Sequence, residues 1–305
     1  MNKSITQTTQ NDKQISNSIK KFFTRFHVSS ALKASNAYKK KGVPVMEIFQ
    51  YLFLLIFSNR SMYMNLITGR NTPAFAKDTV YRFMKMIQIN WIRFTTILSA
   101  RIIKDAIIPL DSEDRANVLI IDDSMFERNR SKKVELLAKV YDHAKHAYRF
   151  GFRLLTLGWS DESTFLPVNS VLLSTENRQN RINEAAEVDK RTVGYRLGRS
   201  RYLLSVMVDV VKDGEVIPAK VVYVRNRNKR KEYLCLISTD VNLDENEIIR
   251  IYGKRWDIEV FFKVCKSYLN LSKECNSLSY DAMTAHTAVV FTRYMMLSLE
   301  SRESR

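Results

Sequence analysis

Residues 117 to 124 read Asn-Val-Leu-Ile-Ile-Asp-Asp-Ser, four consecutive branched apolar residues running straight into two carboxylates. A run of this kind predicts a strand buried on both faces, with acids at its C-terminal edge. It therefore demands layers that cover a sheet, and the chain has the means to supply them. It is 45% hydrophobic and 11% aromatic over 305 residues, which excludes global disorder and predicts two domains rather than one. Eight Gly and five Pro are too few for a turn-rich all-β protein and leave room for long helices. The expected class is α/β.

Two further strand-like runs follow, at 150–159 and 165–173, and with the acid-tipped strand they predict a mixed sheet. Residues 176–200, polar and basic, read as helix or loop. Strand character returns at 202–211, 217–224 and 233–238, with Asp213-Gly214 a turn signal between the first two. The basic run Arg225-Asn-Arg-Asn-Lys-Arg-Lys231 joins the last two, as a solvated hairpin tip or as a DNA contact. Pro109 and the polar stretch 111–115 mark a boundary ahead of this region.

The charge is uneven. The whole chain carries 49 Lys+Arg against 32 Asp+Glu, a formal net +17, which points to a polyanionic partner. Residues 1–110 hold seventeen of the cations and four of the acids, so +13 sits there and +4 on the other 195 residues. A basic first third ahead of a nearly balanced body suggests a nucleic-acid-binding region attached to something else. Ile15, Ile19, Phe22, Phe23 and Phe26 fall at helical spacing, and 43–57 is apolar enough for a buried helix with Pro44 in its first turn. A third helix is expected after Pro73, where Lys77, Arg82 and Lys85 would be exposed. This fits a helix-turn-helix reader or an ordinary helical bundle.

Three Cys form no CxxC pair and four His accompany them, so neither a disulfide scaffold nor a zinc finger is expected. The most apolar run, Val45 to Phe57, is interrupted by Glu47 and Gln50 and is too short to span a bilayer. The first fourteen residues are polar rather than a signal peptide. The expectation is a cytoplasmic protein without a membrane partner.

Residues 247–271 contain the strongest chemical pattern. They predict one helix, with Asp244, Glu245 and Glu247 at the end where carboxylates favour the dipole. At 100° per residue, Tyr252, Arg255, Glu259 and Lys266 fall within an arc of about 60°, beside an apolar stripe of Ile251, Ile258, Phe262, Cys265 and Leu269. A carboxylate flanked by two cations and a phenol suits phosphodiester chemistry, in which Glu holds a divalent metal and the cations hold phosphates. Arg255 to Glu259 is also an ordinary i, i+4 ion pair.

Tyr252-x2-Arg255-x3-Glu259-x6-Lys266 resembles, spacing for spacing, the Y-R-E-K signature of the insertion-sequence-four group of bacterial DDE transposases. Asp122-Asp123-Ser124 resembles that family's D-x-(S/T) at the end of the first core strand. The resemblance covers about 117–271 and implies an RNase H-like catalytic domain over 111–272. It places a β-rich insertion around 202–238, a basic DNA-binding region over 1–110 and a C-terminal helix over 273–305. It further implies Asp122 and Glu259 as catalytic, metal-binding carboxylates for two Mg2+ or Mn2+ ions, with Tyr252, Arg255 and Lys266 on DNA phosphates. Asp123 is disfavoured because successive side chains on a strand point to opposite faces. The implied partners are duplex DNA, as transposon ends and target, and a second copy in a homodimer on DNA. The implied location is the bacterial nucleoid.

One element of the family is missing from the sequence. No apolar strand ending in Asp lies between Leu173 and Tyr202, and Asp209 is the one strand-borne acid nearby. Either Asp209 serves as the second catalytic acid, or an internal deletion has removed it together with a core strand, the reading favoured here. Three readings stay open: a transposase performing metal-dependent strand cleavage and transfer, a remnant that binds element ends without cutting, and an RNase H-like nuclease.

Overall fold

The computed structural model describes residues 2–58, 62, 73–110, 115–143, 145–183, 205–212, 215–225 and 233–304. It forms two compact units, residues 1–186 with 258–305, and residues 187–257.

In the first unit the helical spacing of the N-terminal apolar residues becomes α1 (Asn2–Arg25) and α2 (Val28–Ala34), separated at His27, whose φ of 49° is left-handed. Ile19, Phe22, Phe23 and Phe26 are buried as their spacing requires. Next come α3 (Val45–Leu54), which starts directly after Pro44, and α4 (Lys77–Met84). The fifth helix, α5 (Trp91–Ile102), is started by Asn90, whose side chain accepts from the Arg93 amide at 2.9 Å. Their inner faces meet through aromatic rings, among them Phe23 against Phe53 at 5.0 Å and Phe49 against Phe94 at 5.3 Å. Such pairs contribute ~0.5–1.5 kcal/mol each beyond the area they bury. Lys77 and Arg82 of α4 and Lys85 just after it are exposed.

The sheet of this unit has four strands: β1 (Val118–Glu127), β2 (Ala138–Asp142), β3 (Ala147–Ser160) and β4 (Phe165–Leu173). The fourteen-residue β3 is central. It pairs with β1 along one edge and with β2 and then β4 along the other. Every pairing is antiparallel, where a mixed sheet was expected. The connections between these strands run ten residues or fewer, shorter than the crossover that parallel strands require. A second expectation also changes. Among the described residues the first half of β1 is covered on one face, not two: Ile120 is buried, whereas Leu119 and Ile121 are 67% and 65% exposed, and cover on their side returns only at Met125. The carboxylates stand mid-strand rather than at its edge, because the strand continues through Ser124-Met-Phe-Glu127.

The 24-residue α8 (Tyr280–Glu303) is buried on nearly all sides. Its Arg293, 1% exposed, lies within bonding distance of both Glu274 carboxylate oxygens and donates to the carbonyls of Leu52 and Phe53 at the end of α3. A buried guanidinium is tolerated because carboxylate and backbone acceptors together satisfy it. One continuous apolar core joins Phe49 and Phe94 to Phe152 and Leu154 of the sheet and to Phe291 of α8. The first hundred residues and the sheet thus share an interior.

The second unit is a three-stranded antiparallel sheet, β5 (Ser205–Lys212), β6 (Glu215–Arg225) and β7 (Tyr233–Ser238), with α6 (Glu245–Gly253) on one face. Ile248 and Tyr252 of α6 pack on Val222 and Leu236. Lys220 fastens the helix start by donating to the Leu243 carbonyl at 2.8 Å and pairing with Glu245 at 3.0 Å. Asp244 caps α6 by accepting from the Asn246 amide. No helix among the described residues is long and apolar enough to cross a membrane.

Candidate active site

The single helix expected over 247–271 is two. The α6 helix stops at Gly253 and α7 (Trp256–Ser267) begins three residues later, across a tight turn in which the amides of Lys254, Arg255 and Asp257 each bond a carbonyl three residues back. Glycine is the weakest non-proline helix former, and Gly253 offers no side chain to hold the helix on course. The break falls inside the four-residue signature, so the single helix on which the 60° arc was counted is interrupted. Tyr252 and Arg255 belong to the second unit, where the Arg255 guanidinium stands over the Tyr252 ring at 5.7 Å. Glu259 and Lys266 are on the part of α7 that belongs to the first unit. Seven residues apart on one helix, they share a face.

The inner side of α7 is set by the apolar stripe. Ile258, Phe261, Phe262 and Cys265 are at most 2% exposed. Phe261 meets Phe165 of β4, Phe291 and Tyr294 of α8 with ring centroids 4.7–5.1 Å apart. This packing brings the signature lysine to the acid-bearing strand, where the Lys266 ammonium donates to the Ser124 hydroxyl at 2.6 Å. Burial pushes the Lys266 ammonium below the ordinary lysine range, against the opposing pull of Asp142, Glu127 and Glu259, while Lys145 adds to the lowering.

The strand register separates the two adjacent aspartates. Asp122, Ser124 and Phe126 share the covered face of β1, so Asp122 stands on the side to which α7 delivers Lys266. Asp123 points the other way and is ion-paired with Arg153 of β3, which also donates to the Tyr141 carbonyl at 3.0 Å. Directly across from Asp122 is Thr156, fully buried, its hydroxyl without a partner. Of the residues expected from sequence, Asp122, Glu259 and Lys266 therefore belong to one unit. Glu127, Asp142 and Arg153 complete its charge distribution without having been singled out. Asp142 is 5% exposed at the end of a five-residue strand too short to advertise itself, and Arg153 lies in a run read as plain strand.

Two divalent ions held a few ångströms apart need more carboxylate oxygens than Asp122 and Glu259 offer. Among the described residues no group of three or more His, Cys, Asp or Glu side chains is placed to hold a metal ion. The described donor set does not fit a two-ion site. Asp209 is exposed on β5 in the second unit, opposite Pro218. Of the stretch between Leu173 and Tyr202, where the family carries its second aspartate, residues 184–201 lie outside the described residues.

The model of one protein family, described as DDE superfamily endonuclease, matches residues 53–221, more than half of the chain. No curated protein matches it significantly.

Proposed function

The chain belongs to the DDE superfamily endonucleases, and from that membership we propose that it is a transposase of the insertion-sequence-four group that binds transposon-end duplex DNA. The superfamily acts on nucleic acids and uses divalent metal ions. The observation that carries the reading is the Lys266–Ser124 hydrogen bond. It joins two motifs 142 residues apart that the group combines, the D-x-S strand bearing Asp122 and the helix bearing Glu259. In this reading the sheet is the core of an RNase H-like domain and the second unit is its β-rich insertion. Lys266 neutralises a phosphate beside the two carboxylates, and Tyr252 and Arg255 are further phosphate contacts. The exposed cations of α4 add phosphate contacts on duplex flanks.

A second reading is favoured by a specific observation. Leu119 and Ile121 are two-thirds exposed on a strand whose composition calls for cover on both faces. That is the pattern left when a neighbouring core element is lost together with the second aspartate, and it favours a protein that binds element ends without cutting them. One experiment tests both: the full chain is mixed with labelled transposon-end duplex in Mg2+ or Mn2+. Specific end binding without nicking supports the remnant, binding with strand cleavage supports the active transposase, and failure to prefer end sequence over random duplex overturns both.

A further inference from the structure

Along one face of β3 the burial changes abruptly. Leu154 and Phe152 are fully buried, yet Phe150 is 36% and Tyr148 60% exposed on the same side of the same strand. The strand outruns its covering helices, and β2 accompanies it as a hairpin. Lys139 stands opposite Phe150 and Tyr141 opposite Tyr148, so all four side chains share the open face. Their rings form an array: Tyr141 is edge-on to Tyr148 at 5.2 Å and to His143 at 5.1 Å, and the Lys139 ammonium lies over the Tyr148 ring at 5.3 Å.

This hairpin, with the loop leading into it, is also where the charge of the body is concentrated. Residues 128–153 hold eight Lys/Arg against Glu135 and Asp142, a net +6, more than the +4 of the whole chain beyond residue 110. Arg130, Lys132, Lys133 and Lys139 are exposed. The loop carrying the first three is fastened beside Phe150: the Arg128 amide donates to the Phe150 carbonyl at 2.7 Å, and the Phe150 amide to the Asn129 side chain at 3.0 Å. Cations and aromatic rings are therefore spread along one short hairpin and the loop leading into it.

We propose that this face binds single-stranded DNA, with unpaired bases stacked on Tyr148 and Phe150 and the phosphates met by Lys139, Arg130, Lys132 and Lys133. Charge alone would serve a duplex equally well. The exposed rings decide the matter, because a base inside a duplex has both faces occupied by its neighbours, whereas an unpaired base stacks on an aromatic side chain whatever its sequence. An acidic peptide would use the cations and leave the rings without a function. The site uses none of Asp122, Glu259, Tyr252, Arg255 or Lys266, so it stands or falls apart from the proposed cleavage centre.

The test is fluorescence anisotropy of the full chain with a labelled oligo-dT about twenty nucleotides long, long enough to exceed one site, and with a duplex of the same length. Tyr148→Ala and Phe150→Ala should each weaken oligo-dT binding by roughly 5- to 150-fold, the loss that removal of one stacking ring produces, with duplex binding unchanged. Tyr148→Phe, which retains the ring, should bind as the unmodified protein does. Lys139→Ala, an exposed change that leaves every core residue in place, should flatten the salt dependence of oligo-dT binding. The proposal is overturned if alanine variants with native circular dichroism and melting temperature bind oligo-dT undiminished. Equal loss of duplex binding, or competition by poly-glutamate as effective as that by oligo-dT, overturns it as well.

Discussion

The ammonium of Lys266 and the hydroxyl of Ser124 meet at 2.6 Å across the interface between a helix and a strand. A lysine that loses part of its hydration must recover hydrogen bonds from the protein, and Ser124 supplies one on the same face of β1 as Asp122. Charge-assisted bonds of this kind contribute ~1.5–3 kcal/mol.

A double-mutant cycle measures that link directly. Ser124→Ala and Lys266→Met, each followed by urea denaturation, should give a coupling free energy of ~0.5–3 kcal/mol. Additive losses would mean that the two side chains do not act together.

The carboxylates should be separable from DNA affinity. Asp122→Asn and Glu259→Gln are expected to leave binding of end duplex unchanged or slightly tighter, because each removes a negative charge facing phosphate. Any Mg2+-dependent nicking by the unmodified protein should vanish in both. A variant that still nicks would remove its residue from the centre, whereas nicking abolished by Asp209→Asn would make Asp209 the second catalytic aspartate.

Duplex affinity of the basic helices must be tested on the full chain, since a 1–110 fragment would be stripped of the core it shares with β3 and α8. Lys77→Glu with Arg82→Glu should weaken duplex binding for all sequences. The slope of log affinity against log salt should shrink by about one for each phosphate that is no longer neutralised. An unchanged slope would show that α4 faces away from DNA.

His286 makes stability depend on pH. Burial lowers its pKa from 6.5 to about 4, and its Nε2 lies 3.3 Å from the Asn270 carbonyl. Between those values the unfolded chain takes up a proton that the folded chain refuses. The contribution is therefore present above the ordinary histidine pKa and is lost as pH falls towards 4, by up to ~3 kcal/mol. Melting temperature should drop over this range, and His286→Gln, which keeps an amide donor for Asn270, should reduce the slope. Equal slopes in both proteins would assign the effect to other groups.

The order of residues by itself determined the elements and the chemistry they carry. Apolar spacing placed Phe22, Phe23 and Phe26 inside, the branched run made β1 a strand, and the spacing from Glu259 to Lys266 put both on one face of a helix, since these are local consequences of backbone geometry. Whether β1 would be covered on one face or two was decided by which elements reach it, and four apolar residues cannot encode that. The break at Gly253 was equally hidden: one glycine costs a helix about 1 kcal/mol, an amount that packing on either side can override or exploit. The meeting of Ser124 with Lys266 and the pairing of Asp123 with Arg153 depend on strand register and on where Phe261 seats α7 against Phe165. Those contacts join residues distant in sequence, so they exist only once the whole core has assembled.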